Sequence, residues 1–289
     1  MMNVIAKYWE ELNDGEIKCG LCPRRCNIRE NQAGICGVRR NLKGGLYATS
    51  YGKVSSIALD PIEKKPLFMF KPGKKILSIG GYGCNFRCPF CQNYSISLEY
   101  DGGLYAPREN LSPEQVLNIA LETQKDGNVG VAYTYNEPFI GFEYLIDCVM
   151  MIKNSGLMNV LVTNGYINME PLMELLPYID AMNVDIKGDN ESIYNMVGGT
   201  LDNIKNTIEI ASKACHVEVT TLVIADENEN DIEDIARWLS QLDPNIPYHL
   251  SRFFPRYRYA DRIATPHDTM YRCESVAKRY LKNVFLGNM

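Results

Sequence analysis

Cys84, Cys88 and Cys91 stand within one short stretch, GYGCNFRCPFCQN, and the next cysteine along the chain is Cys148. Cysteine thiolates are the usual ligands of iron-sulfur clusters, and a four-iron, four-sulfur (4Fe-4S) cluster normally takes four of them. Three thiolates would leave one iron without a protein ligand, and an open coordination position is what separates a catalytic metal site from a closed structural one. Zinc would need a fourth ligand, and a ferredoxin-type cluster would want its fourth cysteine locally. A chance grouping of buried thiols is disfavoured by the interleaved polar Asn85, Arg87 and Gln92.

A second group, Cys19, Cys22, Cys26 and Cys36, has the spacing C-x2-C-x3-C-x9-C, with Pro23 and Gly34 placed to shape the turns. Four thiolates in a segment of little apolar content point to a metal that supplies folding energy the segment lacks. Zinc in a closed four-thiolate site leads, ahead of an additional iron-sulfur cluster and of unmetallated or redox-active thiols. Arg24, Arg25, Arg29, Arg39 and Arg40 around them read as a solvated basic face before an anion site. The other cysteines, Cys148, Cys215 and Cys273, lie in apolar-periodic segments and read as packed core thiols.

The elements that must position these residues are legible from Lys75 onward. Six β-rich runs, KILSIG, VGVAYTY, NVLVTN, AMNVDIK, HVEVTTLVI and PYHLSRF, alternate with amphipathic stretches. In SPEQVLNIALETQ, Ser112 can cap a helix, Pro113 suits its first turn and Gln115 completes a capping box. In NDIEDIARWLSQL, Ile232, Ile235, Ala236, Leu239 and Leu242 form one apolar stripe. Repeated strand-helix-strand units call for parallel pairing with right-handed crossovers, hence an α/β barrel or partial barrel. Residues 1–44 lack sustained periodicity, and residues 46–74 read as a hairpin and a Pro-punctuated linker. The expected division is a Cys-rich N-terminal segment with linker, 1–73, and a core, 74–289.

A chain of 289 residues with 46% apolar content can bury a full core. Its formal charge of -5 disfavours nucleic acid as a partner. The stretch MMNVIAKYWEELNDGE is charged throughout and unlike a secretory signal, and no run approaches the ~20 apolar residues that span a bilayer. The expectation is a soluble, cytoplasmic protein with no membrane partner.

In a barrel, working residues belong at the C-terminal ends of strands. There the sequence places Glu137 in TYNEP, Thr163 and Asn164 in VTNG, and Asp185 and Lys187 in VDIKG. The C-x3-C-x2-C loop after the first strand of such an array resembles the signature of the radical S-adenosylmethionine (SAM) superfamily. TYNEP, VTNG and VDIK resemble the Gly-Gly-Glu-Pro, Asp-Thr-Asn-Gly and Asp-Leu-Lys motifs of pyruvate formate-lyase activating enzymes. End to end, CGLCPRRC, GICGVRRN, DPIEKKPLF and HLSRFFP are similar to the radical enzyme of the AmmeMemoRadiSam system, a relative of those activases.

The resemblance implies a partial (β/α)6 TIM-type barrel, the radical SAM core, behind the small Cys-rich domain. It implies an oxidoreductase-like enzyme of anaerobic chemistry, with a 4Fe-4S cluster on Cys84, Cys88 and Cys91 whose open iron binds SAM. Reductive cleavage would yield a 5'-deoxyadenosyl radical that takes hydrogen from a substrate, a protein loop or a small molecule, with flavodoxin or ferredoxin as reductant. By the same likeness Phe90 lies near the adenine, Glu137 receives the cofactor ammonium, Lys187 faces its carboxylate and His249 approaches its ribose. Val162 replaces an aspartate that serves a monovalent cation in the activases, and Thr220 replaces an arginine. No cysteine lies between Cys91 and Glu137, so a ferredoxin-like insert is absent. Glycyl-radical activation is the alternative activity, ahead of a structural zinc or iron-sulfur module or an electron carrier.

Overall fold

The computed structural model describes residues 4–98 and 109–289. Eight strands make its main sheet: β1 (Ser56–Pro61), β2 (Lys75–Gly80), β3 (Asn128–Tyr133), β4 (Met158–Thr163), β5 (Ala181–Asp185), β6 (His216–Val223), β7 (Tyr248–Arg252) and β8 (Val284–Gly287). They lie side by side in chain order. β2 to β8 are all parallel, while β1 runs antiparallel to β2 with Ser56 opposite Gly80 and Pro61 opposite Lys75. Among the described residues β1 and β8 are the two free edges, so the barrel is partial, as the strand-helix alternation predicts.

The crossovers run through α1 (Pro113–Glu122), α2 (Phe142–Asn154), α3 (Met169–Leu175), α4 (Glu191–Val197), α5 (Leu201–Ser212), α6 (Ile232–Leu242) and α7 (His267–Ala277). The start of α1 is a complete capping box between Ser112 and Gln115 with Pro113 in the first turn. α6 buries Ile232, Ile235, Ala236 and Leu239 against the sheet side, and Leu242 is half-buried. The core packs apolar side chains on both faces of the sheet, which is why most of its strands read as apolar runs without strict alternation. Among the described residues, no helix is long and apolar enough to cross a membrane.

Two features depart from the sequence reading. A seventh parallel strand, β8, was not expected, because four residues at an edge with one buried side chain carry no periodic signal. The supposed linker is the turn of a wide hairpin: β1 joins the main sheet, and residues 62–74 fold beneath the N-terminal strand ends. There Ile62 and Leu67 pack with Ile76, Ala132, Val160 and Ala181. The buried Glu218 carboxylate on β6 fastens this turn, accepting the N–H groups of Phe68 at 3.0 Å and Met69 at 2.8 Å.

The N-terminal segment forms two three-stranded antiparallel sheets, Trp9–Glu11 with Ile17–Cys19 and Asn27–Ile28, and Val4–Ile5 with Gly45–Ala48 and Arg39–Leu42. They dock on α2 through a buried ion pair, Arg39 to Glu143 at 3.0 Å, with Tyr8 edge-on to Phe142 at 5.1 Å. Cys148 and Cys273 are core thiols as expected, and Cys215 is half-buried.

Candidate active site

The loop after β2 turns sharply at glycines because side chains do not fit. A Cβ on Gly80 would stand 2.9 Å from the Tyr135 ring, and Gly83 adopts φ +81 with the Cys36 carbonyl oxygen 2.3 Å from its ideal Cβ position. Asn136, beyond β3, pins the loop through its side chain: Oδ1 accepts Gly81 N–H at 2.9 Å, and Nδ2 donates to Tyr82 O and Gly83 O at 3.1 Å. Cys84, Cys88 and Cys91 thereby reach one cavity of about 370 Å³ at the C-terminal ends of the strands. Burial raises all three thiols, Cys88 to about 12, and Glu137 adds to the rise at Cys84. A cation in their midst would reverse that preference, since a coordinating thiol is deprotonated by its metal. The sulfur of Cys84 is already met by Phe86 N–H at 3.3 Å and the Asn164 amide at 3.7 Å.

The strand-end residues converge on the same cavity. Glu137, 2% exposed, accepts from Thr163 Oγ1 at 2.7 Å, Phe139 N–H at 3.0 Å and Asn164 N–H at 2.8 Å. Burial pushes its carboxyl up to about 7 against these bonds. Lys187 Nζ lies 2.5 Å from Asp185 Oδ2. Burial works against the Lys187 charge, but Asp185 and the Cys88 thiol hold it above the ordinary lysine value. The other oxygen, Asp185 Oδ1, is buried with no partner among the described residues, so the cavity wall offers an unused acceptor. Phe90 is buried and lines the cavity, 5.9 Å from the Tyr259 ring. Val162 and Thr220 also face it, the threonine donating to Asn183 Oδ1 at 2.9 Å.

His249 is not brought to the cavity lining. Its Nε2 lies 2.6 Å from Glu218, and its ring packs against Phe68 and Phe285 deeper in the barrel. The N-terminal cysteines also stand outside the cavity. Among the described residues, no group of three or more His, Cys, Asp or Glu side chains is drawn together as the ligands of one metal ion are.

Sequence reasoning missed Lys65, Tyr135, Ser251 and Asn288 in the lining. Lys65, 3% exposed, pairs with Asp60 at 2.9 Å and sits 4.6 Å from the Tyr135 ring centroid, while Tyr135 donates to Asp60 at 2.8 Å. Adjacent lysines in a Pro-punctuated segment were the available signal, and only the long-range fold shows where they go. Size alone does not mark the site: a larger groove of about 870 Å³, between Trp9 and Asn203, holds no cysteine.

The family model described as the radical SAM superfamily matches residues 78–239. An uncharacterized protein of Methanocaldococcus jannaschii is 39% identical over 98% of this chain and 85% of its own length. A pyruvate formate-lyase-activating enzyme of Clostridium pasteurianum is 27% identical over 58% of this chain and 72% of its own. Among solved structures, a radical SAM methyltransferase from Sphaerobacter thermophilus superposes with a TM-score of 0.56 at 14% identity, covering 75% of this chain and 67% of that one. That likeness is one of fold.

Proposed function

The chain belongs to the radical SAM superfamily and is an enzyme of reductive SAM cleavage, and from that premise we propose that Cys84, Cys88 and Cys91 hold its 4Fe-4S cluster and leave the fourth iron to SAM. The observation that carries this reading is convergence: three thiols and the ends of β3, β4 and β5 line one cavity. When bound at these thiols, the cluster would supply the single electron that reductive cleavage of SAM requires.

The protein's part is positioning. Glu137 Oε2 accepts a single bond, from Asn164 N–H, and keeps a lone pair for the ammonium of SAM. Lys187 faces the carboxylate, and the unpartnered Asp185 Oδ1 takes a donor from the bound cofactor. Phe90 lies against the adenine, and Thr163 and Asn164 hold Glu137 and Cys84 in place. We assign His249 to the barrel floor with Glu218 rather than to the ribose. Val162 provides no oxygen for a monovalent cation. Residues 1–73 act as the Cys-rich unit and 74–289 as the catalytic core, with β1 lent by the first to the sheet of the second.

The partial barrel opens sideways, which suits a protein or peptide loop as hydrogen donor; flavodoxin or ferredoxin would supply the electron. Glycyl-radical activation is a second reading, favoured by the Clostridium pasteurianum relative. Anaerobic reconstitution with iron and sulfide, followed by reduction with SAM, should yield 5'-deoxyadenosine. An intact cluster that makes none under strong reductant would refute the function.

A further inference from the structure

The segment that follows β7 has no task so far beyond carrying the chain to α7. Residues 252–262 read RFFPRYRYADR, four arginines against one aspartate, in a chain whose formal charge is -5. Phe254, Arg256, Arg258 and Arg262 are exposed. The segment is nonetheless fixed in place. Arg252 Nε donates to Thr265 O at 2.6 Å, and the buried Thr265 hydroxyl donates to Val223 O at 2.7 Å, at the end of β6. Tyr257 holds a left-handed φ of +54 and stacks on Tyr94 with ring centroids 4.7 Å apart. A bulky residue keeps that conformation only where its surroundings over-determine it.

Those surroundings include the cysteine loop. Arg258 N–H donates to Pro89 O at 3.1 Å, and the Gln92 amide donates to Phe254 O at 3.3 Å. Pro89 follows Cys88 and Gln92 follows Cys91, so the segment is bonded to the loop beside two of the three thiols assigned to the cluster. Gln92 and Asn93 are exposed, which puts this part of the loop at the surface. A cationic strip therefore lies next to the loop that would hold the cluster.

What the strip can receive follows from how its side chains are spent. Arg262 pairs with Glu227 at 2.5 Å, but among the described residues Arg256 and Arg258 meet no carboxylate. Guanidinium groups lie over the rings of Phe254 at 4.8 Å, Tyr257 at 5.4 Å and Tyr259 at 3.7 Å. Stacking the bases of a single-stranded nucleic acid needs free aromatic faces. Both tyrosine rings are already engaged, Tyr257 with Tyr94 as well and Tyr259 with Phe90. A guanidinium resting on a ring keeps its N–H edge for carboxylates, which match its fork. The partner that fits is a protein face set with Asp and Glu.

We propose that residues 254–262 are the docking strip for the one-electron carrier that reduces this enzyme, a protein whose redox group is ringed by carboxylates. A hydrogen-donating substrate has to reach the cavity, whereas a carrier has only to come close to the cluster, and the strip is fastened beside the cluster's ligands. The strip rests on the function proposed above, since that cluster is the electron's destination. Each encounter moves one electron: the carrier is oxidised, the cluster is reduced, and no bond breaks and no proton moves.

Flavodoxin and a 4Fe-4S ferredoxin serve as probes. One of them should bind the reconstituted wild-type protein, more weakly as salt rises, and Arg256→Glu/Arg258→Glu should raise its Kd at least about tenfold. Lys74 and Lys125 are exposed and precede β2 and β3, at the opposite ends of the strands. A Lys74→Glu/Lys125→Glu protein carries the same change of charge and should bind the probe within about twofold of wild type. With dithionite, Arg256→Glu/Arg258→Glu should make 5'-deoxyadenosine within about twofold of wild type, and with subsaturating carrier at least about tenfold more slowly. No binding of either probe, an unchanged Kd in Arg256→Glu/Arg258→Glu, an equal loss in both charge-reversed proteins, or an equal loss with both reductants would overturn the proposal. Single-stranded RNA that binds more tightly than either probe and is released by the same two substitutions would overturn it too, by giving the strip to nucleic acid. A wild type that makes no 5'-deoxyadenosine with any reductant, yet binds a carrier through Arg256 and Arg258, would support the strip while refuting the function above.

Discussion

Removing the Glu137 carboxylate tests folding and binding together, and the structure separates the two. Its oxygens satisfy Phe139 N–H, Asn164 N–H and Thr163 Oγ1 in a buried site. In Glu137→Ala the two backbone donors lose their acceptor, at about 1–3 kcal/mol each. The expected loss is about 2–6 kcal/mol, from a typical total of about 5–15 kcal/mol. Glu137→Gln should rescue little, because all three partners donate and the amide nitrogen must face one of them. In the reconstituted protein, losing a charge-assisted bond to the SAM ammonium costs about 1.5–3 kcal/mol, or roughly 10–150-fold in Kd. Thr163→Val removes one donor and leaves the carboxylate, so it should keep SAM affinity close to wild type while costing about 1 kcal/mol of stability. Urea unfolding reads the first effect and equilibrium dialysis of SAM the second. A folded Glu137→Ala protein with unchanged SAM affinity would show that the carboxylate only caps the turn Pro138–Gly141, and a Gln variant as stable as wild type would refute the hydrogen-bond reasoning.

Two further outcomes concern the scaffold. Burial alone would raise the Glu218 carboxyl, but His216, His249 and the Phe68 and Met69 N–H groups bring it from 4.5 to about 2. A carboxylate depressed in the folded state stabilises it above its ordinary value and loses that contribution as pH falls toward the folded one; about 3 kcal/mol is at stake. The stability gap between wild type and Glu218→Gln should therefore narrow below pH about 4.5 in urea titrations, and a constant gap would count against this coupling. Gly83→Ala meets the Cys36 oxygen in a left-handed conformation, whereas Gly127→Ala shares the left-handed backbone, φ +91, with nothing within 4 Å. Gly127→Ala should cost about 1–2 kcal/mol and spare cluster loading, while Gly83→Ala should lose both stability and bound iron; equal behaviour of the two would disprove the close approach.

What could be read from the chain depended on range. The six longer parallel strands announce themselves through local apolar and β-prone runs, and the α1 cap through three neighbouring residues. Glu137, Thr163, Asn164, Asp185 and Lys187 were found because barrel geometry assigns meaning to strand ends, and all five face the cavity. Lys65 and Tyr135 were invisible, since their partnership with Asp60 joins a turn, a loop and an edge strand. His249 shows the converse: its position in the strand was legible, but the buried carboxylate on the neighbouring strand that claims its ring was not. The docking of Cys36 on Gly83 likewise links segments far apart in sequence, with only a glycine to hint at it.

The turn beneath the strands has a kinetic consequence. With Leu67 and Phe68 packed at the lower end, the cavity is reached at the C-terminal ends of the strands, where what binds later can cover what bound first. A substrate broad enough to lie across that opening would imprison whatever preceded it. Small cofactor in first and spent nucleoside out last is then a matter of plumbing, and a bulky substrate added before SAM should slow turnover as its concentration rises; rates indifferent to the order of addition would mean a second way in.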